Sequence, residues 1–417
     1  MKSGVNKIVA ASTVGTILEW FDFFIYANAA ILVFNKVFFP QEDPVVGMLL
    51  ALMTYAIGII ARPFGGALFG YIGDTKGRKY SLMLCTMVMG LCTFAIGLLP
   101  TYDSIGVWAP ISLIVLRIVQ GTAFGGDFGA AALMIYENVP ANRRGFYGSF
   151  IQLANPAGIF LAAACFYLLS QLSQEDFISW GWRIPFFASV ILIAIGGYIR
   201  SHLAETLIFQ QMVAKKQFVK NPFWDIIKNQ PKKLFVAAGA KLNEVTFSYF
   251  ISAFTIAYAT TKLGLPKQEL LNALMIACLI SISAMPLYGY ISDKIGCKPI
   301  LYVGCVFSLL MVFPMFVMMN SGGLNGVKTV IIVGYPLGTM LSFALMPSFL
   351  PRLFDQKIRT TGVGFSSNIA AGIGGGLLPL LSGYMVSKFN GTIGVSVMLV
   401  ICAIVSAICI YLAKEEE

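Results

Sequence analysis

Glu19 and Asp22 stand three residues apart in GTILEWFDFFIY (residues 15–26), a stretch otherwise almost wholly apolar and aromatic. On a helix that spacing puts both carboxylates on one face. A carboxylate among apolar neighbours is pushed toward its protonated form by desolvation and toward its ionised form by a nearby arginine. Such a pair therefore suits reversible proton binding. RIVQGTAFGGDFGA (117–130) adds Arg117, Gln120 and Asp127 along one helical run, and AKLNEVTFSYF (240–250) sets Lys241 and Glu244 at i, i+3. Arginine cannot shed its charge, so Arg117 must find a carboxylate, either in the chain or on a solute. Lysine neutralises more easily, and Lys241 and Glu244 can form a self-contained ion pair or meet a ligand. Asn243, Tyr249 and Asn368 offer further polar contacts. With one histidine, His202, and no nucleophile–base spacing, the chain carries no catalytic pattern. The DFG triplet at 127–129 lies inside an apolar run without the other kinase elements, so it is accidental.

The elements that must hold these groups are membrane helices. The residues are 58% hydrophobic and only 12% charged, with a mean hydropathy of +0.80. That excludes a soluble globule, in which about a quarter of residues are charged. Apolar runs long enough to cross a bilayer recur from end to end. We read twelve spans, near 8–34, 46–72, 80–99, 107–137, 145–170, 180–201, 234–261, 268–291, 299–319, 327–350, 360–387 and 393–413. The expected fold class is thus an all-α integral membrane protein. The first run contains acids and is longer than the apolar part of a signal peptide, so it is expected to be retained as a span.

Net charge is +10, yet the bases lie in short loops rather than in a nucleic-acid-binding patch. Of 29 Lys and Arg residues, 20 fall on one set of loops and ends, Arg78, Arg144, Arg200 and Arg352 among them. Five fall on the other set, and Arg62, Arg117, Arg183 and Lys241 lie within spans or at their edges. The positive-inside rule then places both termini and the loop at 202–233 in the cytoplasm. Arg183, in GWRIPF, reads as an interfacial anchor, and His202, at a helix exit, as a surface residue. The eight cysteines lie in or beside spans with no C-x-x-C, which suits packing and indicates neither disulfides nor a metal site.

The 202–233 loop divides the spans six and six, giving expected bundles at 1–201 and 234–417. GYIGDTKGRK (70–79) and GYISDKIGCK (289–298) share the pattern G-Y-I-x-D-x-x-G-x-K at an offset of 219, each between the second and third spans of its half. NRRGFYG (142–148) and IRTTGVG (358–364) repeat at nearly the same offset. Internal duplication of this kind builds many transporters, with the substrate site near midplane between the repeats. In the loop copies glycine allows close approach, and the aspartate can meet a helix N-terminus or a basic neighbour. Gly70, Asp74, Gly77, Arg78, Lys79, Asp293, Lys294 and Gly296 are therefore candidate gating residues. Gly121, Gly125 and Gly129, spaced by four, read as helix packing.

The duplicated loop resembles the signature of the major facilitator superfamily. EWFDFFIY, YDSIGVWAP, RIVQGTAFGGDFGA and GWRIPF resemble the metabolite:proton symporter family within it, which includes proline/betaine, α-ketoglutarate, shikimate and citrate transporters. The resemblance spans essentially the whole chain. It departs at Thr75 (usually basic), Asp127 (usually Glu) and Cys297 (usually Arg). It implies an inner-membrane, alternating-access symporter, working as a monomer on a small carboxylate-bearing solute, with the proton as coupling ion and no cofactor. Proton-exchange efflux and a non-transporting sensor are the alternatives. The span-five stretch QLANPAGIFLAA lacks the exporter pattern, and there is no large polar domain for signal output. Glu19, Asp22, Arg117 and Asp127 are the expected proton-coupling residues. Arg117, Gln120, Lys241, Glu244, Tyr249 and Asn368 are the expected substrate contacts. By depth, Glu19 lies roughly 18 Å and Arg117 roughly 16 Å into their spans, which predicts that they pair near midplane.

Overall fold

The computed structural model describes residues 2–215, 219, 221–389 and 391–415. Among them, eleven helices are long and apolar enough to span a membrane. They are α1 (Val5–Val37), α2 (Val46–Lys76), α3 (Arg78–Leu98), α4 (Trp108–Tyr136), α5 (Ala141–Leu169), α6 (Gly181–Ser201), α8 (Lys267–Ile295), α9 (Cys297–Ser321), α10 (Gly323–Leu353), α11 (Arg359–Val386) and α12 (Ile393–Leu412). The remaining long helix, α7, runs through Pro231–Tyr249, Phe250–Phe254 and Thr255–Thr261. Lys241, Asn243 and Glu244 in its middle lower its hydropathy, yet they are buried like their neighbours. Their burial is why a helix this polar still belongs with the other eleven.

Outward faces carry Leu310, Val317 and Ile401, each more than half exposed, which suits a hydrocarbon surrounding. The apolar cores divide along the chain. Two clusters draw their buried residues from positions 236 to 413, and four draw theirs from 9 to 203. The helices of α1 and α7 each contain a π-helical turn, Ala30–Phe34 and Phe250–Phe254, at a separation close to that of the repeated loop. Such turns cluster at functional positions. Both chain ends lie on one face: Tyr147 at the start of α5 reaches Asn6, and Lys298 at the start of α9 donates to the Ala413 carbonyl. We call this the terminal face.

Within the first half the site is framed by close approach of α2 and α4. A Cβ at Gly121 would sit 2.1 Å from the Gly58 carbonyl, and one at Gly125 would sit 2.1 Å from that of Arg62. The small-residue stripe is therefore a packing seam. A side chain there must push two backbones apart, whereas Gly197 in α6 has no atom within 4 Å of its would-be Cβ. Gly121→Leu should lower the melting temperature of detergent-purified protein by several degrees or abolish its monodisperse peak, since overpacking costs about 1–3 kcal/mol or more. Gly197→Leu should leave both within error. Equal melting temperatures for the two variants would show that the seam is not tight.

Candidate functional site

The carboxylates of α1 go to two different places. Glu19 meets Arg200 of α6, with Nη1 to Oε1 at 2.5 Å, and accepts from Thr86 of α3 at 2.7 Å. Arg200 also pairs with Asp127 of α4 at 3.3 Å, contacts Thr86 and donates to the Leu82 carbonyl at 3.3 Å. Thr16 donates to Asp127 at 3.4 Å. All three charged groups are buried. Gly15 makes room for them, since a Cβ there would lie 2.5 Å from Arg200 Nε. This corrects two expectations. Arg200, counted among the loop bases, is wholly buried, and it is Arg200 rather than Arg117 that holds Glu19. The shorter reach of Asp127, compared with a glutamate, is sufficient because Arg200 comes to it from α6.

Asp22 lies one turn further along α1 and accepts from Ser189 of α6 at 2.8 Å. Thr93 of α3 stands near Asp22 as well, and its hydroxyl donates to the Met89 carbonyl at 2.9 Å. Thr93 accepts from Gln120 Nε2 at 2.7 Å, and Gln120 Oε1 accepts from Arg117 Nη1 at 2.7 Å. Asp22 and Arg117 thus do not touch; a threonine and a glutamine stand between them. Among the described residues Asp22 has no salt-bridge partner, and neither has Arg117. Arg117 instead packs its guanidinium against Tyr26, Tyr55 and Phe23, with ring centroids at 4.0, 5.0 and 4.8 Å.

Arg62 of α2 stands on the other side of the same aromatic group, 4.3 Å from the centroids of both Phe23 and Phe124. Nε and Nη2 of Arg62 and of Arg117 are buried and have no hydrogen-bond partner. Four orphaned N–H-bearing atoms on two buried guanidiniums form a ready receptor for a carboxylate. From the second half, Tyr249 of α7 packs against this aromatic cluster, its ring lying over Gly375 of α11. Lys241 pairs with Glu244 at 3.3 Å, and its ammonium lies 4.3 Å from the centroid of Phe128 of α4. Asn368 is otherwise employed. Its amide donates to the Gly125 carbonyl at 2.6 Å and to that of Gly364 at 2.7 Å, so it fastens α11 to α4 and its expected solute contact is replaced by a helix–helix bond.

At the terminal face the two loop copies do the same thing in opposite directions. Asp74, at the end of α2, accepts from the backbone N–H groups of Thr360 and Thr361 at 3.0 and 2.9 Å, and from the Thr361 hydroxyl at 2.8 Å. Asp293, at the end of α8, accepts from those of Gly145 and Phe146 at 2.7 and 2.8 Å. Each aspartate caps a helix of the opposite half, where free N–H groups and the helix dipole favour an anion. Gly70 permits the approach, since its Cβ would lie 2.5 Å from Thr361 Cα. Gly77 and Gly296 take φ of 114° and 89°, which turn the chain between helices at little steric cost. Arg78 links Asp74 (3.8 Å), Glu137 (3.4 Å) and the Gln356 carbonyl (3.2 Å). Lys79 serves differently from a gate contact: its ammonium donates to Ser201 O at 2.6 Å within the first half. Lys294 is exposed over Tyr290 and makes no cross-half bond among the described residues. Arg183 donates to the carbonyls of Gly97 and Leu99 at 2.5 and 2.8 Å, closing the end of α3. His202 is exposed beside Tyr198.

Arg200 was missed because it stands one residue from the end of its helix, where a base is read as topological. The available signal is that Arg200 falls inside the 180–201 span, in a half whose spans also hold Glu19, Asp22 and Asp127.

The Major Facilitator Superfamily description matches residues 13–379. The chain is 37% identical over 398 residues to the inner membrane metabolite transport protein YhjE of Escherichia coli K12, covering 93% of this chain and 90% of that protein. It is 31% identical to the shikimate transporter of the same organism, over 100% and 96% of the two chains. Against its proline/betaine transporter identity is 32%, over 99% and 84%. Among solved structures, the proton:xylose symporter XylE bound to 6-bromo-6-deoxy-D-glucose superposes with a TM-score of 0.75 at 16% identity, covering 99% of this chain and 95% of that one. The last shows the shared twelve-helix fold.

The buried triad generates a test of its own. Removing Arg200 leaves two facing carboxylates without a cation, and breaking a buried pair costs about 3–5 kcal/mol. Arg200→Met should therefore drop the melting temperature steeply. The triple variant Arg200→Met, Glu19→Gln, Asp127→Asn should recover most of the loss. Additive destabilisation in the triple variant would refute the pairing.

Proposed function

The chain belongs to the Major Facilitator Superfamily, as a metabolite transporter of its metabolite:proton symporter family, and from that membership we propose that it imports a small carboxylate-bearing solute together with protons. The observation that carries this reading is the pair of buried, unsatisfied guanidiniums of Arg62 and Arg117, with Gln120 linking Arg117 to Thr93 beside Asp22. The solute carboxylate binds the free N–H groups of Arg117 and Arg62, and Tyr249 meets it from the second half. Lys241 and Glu244 flank the path as a pair that can reopen toward the solute. Shikimate, proline and betaine all carry the carboxylate such a receptor requires.

Asp22 is the proton carrier in this reading. Glu19 and Asp127 share the cation Arg200, whereas Asp22 accepts from Ser189 and has no cation among the described residues. An ionised carboxylate so placed is costly, so this arrangement suits the protonated acid. When Asp22 loses its proton it draws Thr93 and Gln120 toward it, Arg117 loses its amide partner, and the grip on the solute changes. Protonation and solute binding are thereby linked through three side chains.

Charge distribution puts the terminal face in the cytoplasm. The Asp74 and Asp293 caps then close the cytoplasmic side, and import requires the bundles at 1–201 and 234–417, joined by 202–233, to rock apart there. Uptake into proteoliposomes should rise when the lumen is made alkaline. Asp22→Asn should abolish that stimulation while leaving solute–solute exchange within a few-fold of wild type. Wild-type uptake indifferent to a pH gradient would refute proton coupling, and loss of exchange in Asp22→Asn would refute a purely proton-carrying role.

A further inference from the structure

Between the terminal-face lock and the opposite face, the described residues bury four acids, Glu19, Asp22, Asp127 and Glu244, and four bases, Arg62, Arg117, Arg200 and Lys241. They balance in total but not in place. Lys241 and Glu244 neutralise each other at 3.3 Å. Arg200 offsets only one of its two acids, Glu19 and Asp127. Asp22 is faced by Ser189 of α6, Thr93 of α3 and, through Gln120, by Arg117 of α4; Glu19 is its charged neighbour on α1. The surplus negative charge thus lies on the Asp22 and Arg200 side. The surplus positive charge, Arg62 and Arg117, faces the aromatic group that Tyr249 closes.

We infer that the solute is a net anion and that it crosses with as many protons as it has negative charges, so that each transport step moves no net charge. The inference rests on the proton-coupled reading above. With all eight groups ionised the empty carrier is balanced and can return. A proton on Asp22 leaves one uncancelled positive charge at the arginine pair, and a second proton, shared between Glu19 and Asp127, leaves two. A buried charge without a counter-charge is costly, and an anionic solute supplies the counter-charge where a zwitterion does not. Phe23 and Phe124 already face a cation of the chain itself, the Arg62 guanidinium at 4.3 Å from each. One proton therefore accompanies a monocarboxylate and two accompany a dicarboxylate.

The test is uptake by the full chain in proteoliposomes of glycine betaine, proline, shikimate and 2-oxoglutarate. A pH gradient is imposed with or without a potassium diffusion potential set by valinomycin. The expected result is uptake of a carboxylate anion, driven by the pH gradient and changed less than twofold by potentials of either sign. External alkalinisation should give a proton-to-solute ratio equal to the solute's charge. Arg62→Gln should raise the KM for that anion at least tenfold and Arg62→Lys much less, which separates lost charge from lost fold. Proton-driven uptake confined to zwitterions, or anion uptake that rises several-fold with inside-negative potential, overturns the inference and leaves proton coupling standing. Anion uptake indifferent to the pH gradient overturns the underlying reading and the inference with it. A panel in which no anion is taken up also counts against it.

Discussion

Arg200 reaches from the end of α6 past α3 to carboxylates on α1 and α4, and four helices of the first half converge on that one guanidinium. A charge placed in hydrocarbon costs about 2.5–3.5 kcal/mol on insertion scales. Three such charges in contact are tolerable only as a mutually paired set. The triad therefore fixes the relative depth of α1, α4 and α6. That depth in turn sets Asp22 beside Ser189 and Thr93, one turn away on α1, and sets Arg117 and Gln120 at the level of Thr93 on α4. The unpaired groups owe their positions to the paired ones.

Much of this was legible in the residues. The span pattern, the duplicated loop and the grouping of acids and bases follow from period, repetition and composition alone, and for Asp74 and Asp293 a helix N-terminus is one of the two partners their place allows, a basic neighbour being the other. Pairing did not follow. Glu19 and Arg117 lie at similar calculated depths, but depth along two helices leaves their rotation open, and rotation decides which side chains face each other. α1 turns both acids toward α3 and α6, Glu19 to Thr86 and Arg200 and Asp22 to Ser189, so the long Arg200 side chain takes the place expected for Arg117. Asn368 misled for a related reason. A polar side chain in a span was read as a solute contact, whereas the close approach of α11 to α4 gave its amide two backbone carbonyls to satisfy.

The two layers of polar contact obey different rules. In the dry middle, separating Arg200 from its acids would leave charges that no water can solvate, so the triad is suited to moving as a rigid unit with its bundle. At the terminal face, Asp74 and Asp293 bond backbone N–H groups across the halves at the edge of the membrane. When these bonds part, water replaces them at a net cost of about 0.5–1.5 kcal/mol each. Keeping ion pairs inside each half, with neutral or capping hydrogen bonds between the halves, is the arrangement that lets two bodies separate repeatedly without unfolding either.

The two locks are alike in capping geometry and unlike in what stands behind them. Arg78 ties the Asp74 lock to Glu137 and to the Gln356 carbonyl, joining the α2–α3 turn to loops of both halves. At the corresponding position of the repeat, the uncharged Cys297 lies 3.5 Å from the Ser348 hydroxyl. Thr206 and Glu205, just past α6, further brace the first lock through Glu137 and the Lys79 backbone, at 2.5 and 3.1 Å. The duplication thus preserved the element that must form and break, an aspartate on a helix start, while the supporting charges diverged. Opening at the α8–α5 seam gives up two backbone hydrogen bonds, whereas opening at the α2–α11 seam also gives up a guanidinium bridge. The first seam is the one from which the halves separate more easily.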